Sequence, residues 1–276
     1  MPLVVGRYDL NSSVTKSSFD IYLSDHRFRA ERLEIEPVSD LNDRPTLVFL
    51  HEGLGSIPQW GGFPSSLCAV TGCSGFLYER LGYGGSDPYP GGWPMDYLEK
   101  ETDLLHGVLN ECNVKNPLLI GHSDGGTIAL LYAARHSETL RGVITEAAHI
   151  FIEDVTIKGI LEAVKVYENS NLKEKLARYH GDKTETVFRR WADRWLDPAF
   201  RDWNMEASLS GITCPLMVLQ GQDDEYAGLV QVEGIRSQVV GPVKTVVIEN
   251  CRHVPHHQAR EEVIEKMTGF IAQDFR

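Results

Sequence analysis

Short apolar runs separated by polar turns recur along the whole chain. Near the N-terminus the alternation has period two, in Phe19-Asp20-Ile21-Tyr22-Leu23 and again from Arg29 to Glu36 around Leu33 and Ile35. That pattern predicts antiparallel, half-exposed strands. After the polar turn Asn42-Asp43-Arg44-Pro45 the character changes: Thr46-Leu47-Val48-Phe49-Leu50 is a continuous apolar run. Such runs belong to parallel strands buried on both faces. Similar runs follow at Gly75–Tyr78, Pro117–Ile120, Leu140–Ile144, Pro215–Leu219 and Val243–Ile248. Between several of them lie segments of helical period: Met95–Asn110, with Leu98, Leu104, Leu105, Val108 and Leu109 on one stripe, Gly126–Arg135 and Glu261–Ala272. Alternating β and α units predict a mostly parallel central sheet with helices on both faces.

One interval breaks the alternation. From about Thr145 to Pro215 no strand-like run occurs, while Phe151, Tyr167, Tyr179, Phe188, Trp191, Trp195, Phe200 and Trp203 give it an aromatic character. It is too long for a connection and too apolar for a disordered one, so it reads as a helical insertion over one edge of the sheet. Most of these aromatics would form a satellite core, and the remainder would line an apolar pocket.

Composition narrows the class. The chain has 276 residues, 42% hydrophobic and 24% charged, which excludes disorder, collagen and coiled coil. Its length alone would permit two domains. Lysine and arginine number 27 against 39 acidic residues, a formal charge of −12, so nucleic acid and anionic membrane surfaces are not expected partners. Met1 to Asp9 lacks the basic start and apolar run of a secretory signal, and no apolar stretch reaches the ~18 residues of a membrane span. A cytoplasmic protein acting on a small molecule is therefore expected. The five cysteines, Cys68, Cys73, Cys112, Cys214 and Cys251, have no CxxC spacing and read as reduced thiols. No phosphate-binding or metal-binding motif appears, so no cofactor and no metal are expected.

The strongest chemical signal is Leu119-Ile120-Gly121-His122-Ser123-Asp124-Gly125-Gly126, between an apolar strand and a small-residue helix. G-x-S-x-G arises by chance, and a glycine-rich helix cap would be the plain alternative. A strand before and a helix after give it a purpose: a strained turn pushes Ser123 Oγ outward at a helix N-terminus, where negative charge is stabilised. A serine at its free pKa needs a base held by a carboxylate. Both follow in the chain, each after an apolar run: Gln220-Gly221-Gln222-Asp223-Asp224-Glu225, and Glu249-Asn250-Cys251-Arg252-His253-Val254-Pro255-His256-His257. Loops at the carboxyl ends of parallel strands can converge on one crevice.

These motifs resemble those of the α/β-hydrolase superfamily over nearly the whole chain. Leu50-His51-Glu52-Gly53-Leu54-Gly55 is similar to its oxyanion loop, Gly121 to Gly126 to its nucleophile elbow, and Tyr78-Glu79-Arg80-Leu81-Gly82-Tyr83-Gly84-Gly85-Ser86 to its D-x-R-G-x-G-x-S loop. The resemblance implies an α/β-hydrolase core over residues 1–147 and 213–276, with a helical cap at 148–212. It implies a triad of Ser123, Asp224 and His253, with Asp223 as the alternative acid. The oxyanion donors would be the backbone N–H groups of Asp124 and of Gly53 or Leu54. Glu52 stands where the family has glycine, which leaves the choice between Gly53 and Leu54 open. His51 and His122 would hold loops, and His256 and His257 would be surface or helix-start residues. The expected activity is serine-dependent cleavage of a small or medium apolar ester, lactone or thioester. A carbon–carbon bond hydrolase of the meta-cleavage-product type is the enzymatic alternative, and a non-catalytic small-molecule binder the alternative of another class. A homodimer is compatible with the sequence, which does not determine the oligomeric state.

Overall fold

The computed structural model describes residues 13–36 and 44–273. The stretch Met1 to Asp9 and the turn residues Asn42 and Asp43 lie outside the described residues. Eight strands form one sheet: β1 (Val14–Leu23), β2 (His26–Ile35), β3 (Thr46–Leu50), β4 (Gly75–Tyr78), β5 (Pro117–His122), β6 (Gly142–Glu146), β7 (Leu216–Gly221) and β8 (Val243–Ile248). Their order is β1-β2-β4-β3-β5-β6-β7-β8, antiparallel from β1 to β4 and parallel thereafter. The continuous apolar runs occupy the middle, where β4 to β7 are buried throughout. The period-two segments form the exposed edge, and in β1 only Ile21 is fully buried.

Nine helices among the described residues cover this sheet: α1 (Phe63–Thr71), α2 (Tyr97–Glu111), α3 (Asp124–His136), α4 (Asp154–Asn169), α5 (Leu172–His180), α6 (Thr184–Trp195), α7 (Leu229–Gln238), α8 (Pro255–Gln258) and α9 (Arg260–Ile271). Side chains alternate across each strand and so feed two cores. Val48, Leu119, Val143 and Val218 pack with α2, α3 and α7 on one face. Leu47, Phe49, Leu118, Ile120, Ile144 and Met217 pack with α1 and α9 on the other.

Helices α1, α7 and α8 were not evident from periodicity. α1 is short and places Ser65 and Ser66 among its apolar residues, and α7 leaves Leu229 and Val230 exposed, which blurs its stripe. Between β6 and β7 the chain makes the expected strandless excursion through α4, α5 and α6. Its two limbs meet at a bridge between Phe151 and Asn204, and the Met205 N–H donates to the Ile150 carbonyl at 2.8 Å. The excursion therefore leaves and rejoins the sheet at one point. Among the described residues no helix is long and apolar enough to cross a membrane.

The chain changes direction across the sheet between β3 and β5, because β4 lies on the far side of β3. A crevice opens at the carboxyl ends of strands where the order reverses in this way. The segments following β3 and β5, which carry Gly53 and Ser123, flank that crevice.

Candidate active site

Ser123 follows β5 and precedes α3 with φ 52° and ψ −118°, a conformation that L residues rarely adopt. The flanking glycines make it possible. A Cβ on Gly121 would come within 2.2 Å of the Gly125 carbonyl oxygen, and one on Gly125 within 2.0 Å of the Leu50 carbonyl oxygen. The turn is thus pressed against its own helix and against β3, which leaves only the outward direction for Ser123 Oγ. The Ser123 N–H is fixed by the Glu146 carbonyl at 2.8 Å.

His253 meets the serine from the loop after β8. Its Nε2 lies 3.0 Å from Ser123 Oγ, and its Nδ1 lies 2.9 Å from both carboxylate oxygens of Asp224. With Nδ1–H donating to Asp224, Nε2 is free to accept the serine proton. Asp224 is buried and also accepts from the backbone N–H groups of Tyr226 and Ala227 and from Gln220 Nε2. Burial works to raise its pKa, but His253, with the Tyr226 N–H and His149, outweighs it and holds the carboxyl below its ordinary value. Asp223 is exposed. Of the two candidate acids, the structure places Asp224 on the histidine.

The backbone N–H groups of Gly53, Leu54 and Asp124 have no protein acceptor among the described residues. Glycine at 53 has a steric reason, since a Cβ there would lie 2.3 Å from Trp191 Cδ1 of α6. The Asp124 carboxylate points away from the serine, to Arg80 at 3.5 Å and to the Tyr97 hydroxyl at 3.3 Å.

The surrounding histidines hold loops. His51 Nδ1–H donates to the Glu52 carbonyl and Nε2 accepts from the Arg80 N–H; burial, aided by Arg80, pulls its pKa down to about 3. His122 Nε2–H donates to the His253 carbonyl at 2.7 Å. Its other nitrogen lies 3.8 Å from Glu52 Oε2. Although burial opposes ionisation of Glu52, His122 holds that carboxyl down at about 2. His256 lies at the start of α8, as one of its two expected placements has it, and is buried there rather than on the surface, with Nδ1–H on Glu146 Oε2 at 2.8 Å. A buried glutamate at the end of β6 needs that partner. His257 remains exposed. Cys251, two residues before His253, is buried, and burial raises its thiol to about 11.

The excursion supplies residues that the motifs did not reveal. His180 of α5 donates from Nε2 to the Leu54 carbonyl at 2.9 Å and accepts the Gly84 N–H on Nδ1. His149, whose pKa burial lowers to about 4, donates to the Tyr226 carbonyl. Neither carries a local sequence signature, because each is defined by partners far along the chain. Ser123, His253 and Glu52 open into a cavity of about 240 Å³ walled by His149, Ile160, Trp191, Trp195 and Tyr226. Of the aromatic residues expected in the excursion, Trp191 and Trp195 reach this cavity. Tyr167 and Phe188 stack on each other at 3.7 Å, and Trp195, Phe200 and Trp203 pack together; in place of the expected satellite core they continue the core on one face of the sheet, Phe200 meeting Tyr97 of α2.

A mostly parallel sheet with helices on both faces and a serine on a strained strand–helix turn define the α/β-hydrolase fold class. The chain belongs to the alpha/beta hydrolase family, whose sequence profile matches residues 47–266. It is 25% identical over 173 residues to human serine hydrolase BPHL, covering 59% of this chain and 58% of that protein, under two thirds of its length. It is also 25% identical over 204 residues to 2-succinyl-6-hydroxy-2,4-cyclohexadiene-1-carboxylate synthase from Salmonella agona (strain SL483), covering 70% of this chain and 69% of that one. Among solved structures, a bacterial membrane phospholipase A superposes with a TM-score of 0.77 at 19% identity over 95% of this chain and 87% of that one. The last likeness is one of fold.

Proposed function

We propose that this protein is a serine hydrolase that cleaves a small or medium, largely apolar carboxylic ester, lactone or thioester through an acyl-enzyme. The observation that carries this reading is the unbroken chain from Ser123 Oγ through His253 to Asp224, at 3.0 and 2.9 Å, opening into an apolar-walled cavity. Ser123 Oγ attacks the carbonyl carbon while His253 Nε2 takes its proton. Asp224 holds the resulting imidazolium in orientation and offsets its charge. The oxyanion is received by the N–H of Asp124 at the start of α3 and by that of Gly53 or Leu54. Loss of one such donor typically costs on the order of 10²–10³ in rate. His253 then protonates the leaving group, and water repeats the sequence on the acyl-enzyme. The α4–α6 excursion acts as a cap in this reading, because its Trp191 and Trp195 form the roof against which an apolar acyl group would pack.

A fluorophosphonate probe tests the assignment. Stoichiometric labelling of Ser123 in the folded protein is expected, and lack of labelling beside a fully labelled control hydrolase would sink it. The likeness to a synthase favours one second reading, in which the same residues act on a carbon–carbon bond. Chromatography of turnover products separates the two, since an alcohol or thiol is released in the first case and a carbon fragment in the second.

A further inference from the structure

A second cleft, of about 590 Å³, adjoins the catalytic cavity and shares Glu52, His122 and Val254 with it. Its floor is apolar, with Trp60 and with Leu172 and Leu176 of α5. Its outer wall is α5, which presents Lys175 and Arg178 on the exposed side. Of the other cations of the excursion, Lys165, Lys173, Arg189, Arg194 and Arg201 each sit in an ion pair, Lys183 donates to the Tyr83 and Ser86 carbonyls, and Arg190 lies over the Tyr89 and Trp93 rings; none of these, nor Lys158, lines the cleft. Among the described residues Lys175 and Arg178 have no such partner. The only carboxylate on the cleft's described lining is Glu52, at the inner end where the two cavities meet; the remaining titratable lining groups are Tyr179 and the imidazoles of His122, His256 and His257. The cleft thus runs from a catalytic end through an apolar middle to a cationic mouth, on a protein whose charge of −12 otherwise repels anions.

We propose that this cleft is the leaving-group subsite and takes an alcohol or thiol portion with an apolar body and a terminal oxyanion, carboxylate or phosphate. The inference rests on the serine-hydrolase reading. The group that receives the proton from His253 must lie beside that residue, and the cleft begins at Val254, the next residue in the chain. The roof of Trp191 and Trp195 then faces the acyl side, and the oxyanion lies against Lys175 and Arg178. Two partly screened charge pairs raise kcat/KM by about tenfold.

The test uses three butyrate esters of matched phenols: 3-(4-hydroxyphenyl)propanoate, its neutral carboxamide and the corresponding phosphonate. The carboxylate or phosphonate ester should be cleaved about tenfold faster in kcat/KM than the carboxamide, with a ratio that shrinks as salt screens it. Lys175→Glu with Arg178→Glu should bring the ratio to one or below; both side chains are exposed, so the fold is not at stake. A larger ratio for the phosphonate identifies phosphate as the source, and a larger one for the carboxylate identifies a carboxylate. A ratio near one in the wild type, or one unaltered by the double substitution, overturns the subsite. Turnover of the carboxamide ester and labelling of Ser123 report separately on the hydrolase reading. Should both fail, calorimetry with free 3-(4-hydroxyphenyl)propanoate judges the cleft alone: binding abolished by the double substitution supports it, and no binding to the wild type refutes it.

Discussion

At Ser123 a strained backbone and a short hydrogen-bonded chain coincide in one residue. Its side chain contributes little packing, so Ser123→Ala should leave the melting temperature within a degree or two while lowering ester turnover on the order of 10⁴-fold or more. Full retained activity would remove the serine from the mechanism. The acid is decided equally sharply. Asp224→Asn should cost on the order of 10³–10⁴ in kcat, because an amide holds the wrong imidazole tautomer. Asp223→Asn, on an exposed side chain, should cost less than about twofold, and the reverse ranking would move the acid by one position. The Asp-Asp-Glu run offers three carboxylates to a sequence reading. Only the bend after β7 shows that Asp224 turns inward while Asp223 meets solvent.

At the scale of elements, α6 lies directly on the loop after β3, with Trp191 against Gly53 and His180 of α5 pinning the Leu54 carbonyl. Trp191→Ala should therefore act twice. The loss of a buried indole should destabilise the protein by about 3 kcal/mol. It should also lower kcat/KM for bulky apolar acyl esters about tenfold relative to acetate, since the roof of the cavity is gone. Equal losses on both substrates would show that the tryptophan supports the fold without shaping the acyl site. The strandless character of this excursion was legible from its composition. Which aromatics reach the cavity was not, because α4, α5 and α6 bury two stripes at once, one against each other and one against the loops below.

For the whole molecule, buried imidazoles make stability depend on pH. Burial holds His51 at about 3 and His149 at about 4, both below the ordinary histidine value of 6.5. The unfolded chain therefore binds protons at these positions that the native state refuses. Stability is fully present above pH 6.5 and is lost as the pH falls from there toward 4. Below about 4.5 the depressed Glu52 carboxyl adds a second loss in the same direction. Glu101 works the other way, since burial raises its carboxyl to about 7 and its native form takes up a proton that the unfolded chain releases, so it offsets part of the imidazole loss. Calorimetry should show the melting temperature falling by a few degrees, on the order of 5 °C, between pH 7 and pH 4.5 in the wild type and by more in Glu101→Gln. A flat profile in both proteins would show that neither imidazole is buried in its neutral form.

The pattern of apolar runs and the three loop motifs determined, by themselves, the mostly parallel sheet and the choice of Ser123 and His253 as a candidate pair. Those features are local: a buried strand must be apolar on both faces, and a strained turn must carry glycine at fixed offsets. Tertiary structure decided the rest. It placed Asp224 rather than Asp223 on His253, buried His256 against Glu146, brought His149 to the cavity and His180 onto the Leu54 carbonyl, and set Lys175 and Arg178 on the lining of a second cleft. Each of these depends on contacts between segments tens of residues apart, and no periodicity along the chain encodes which distant partner a side chain will meet.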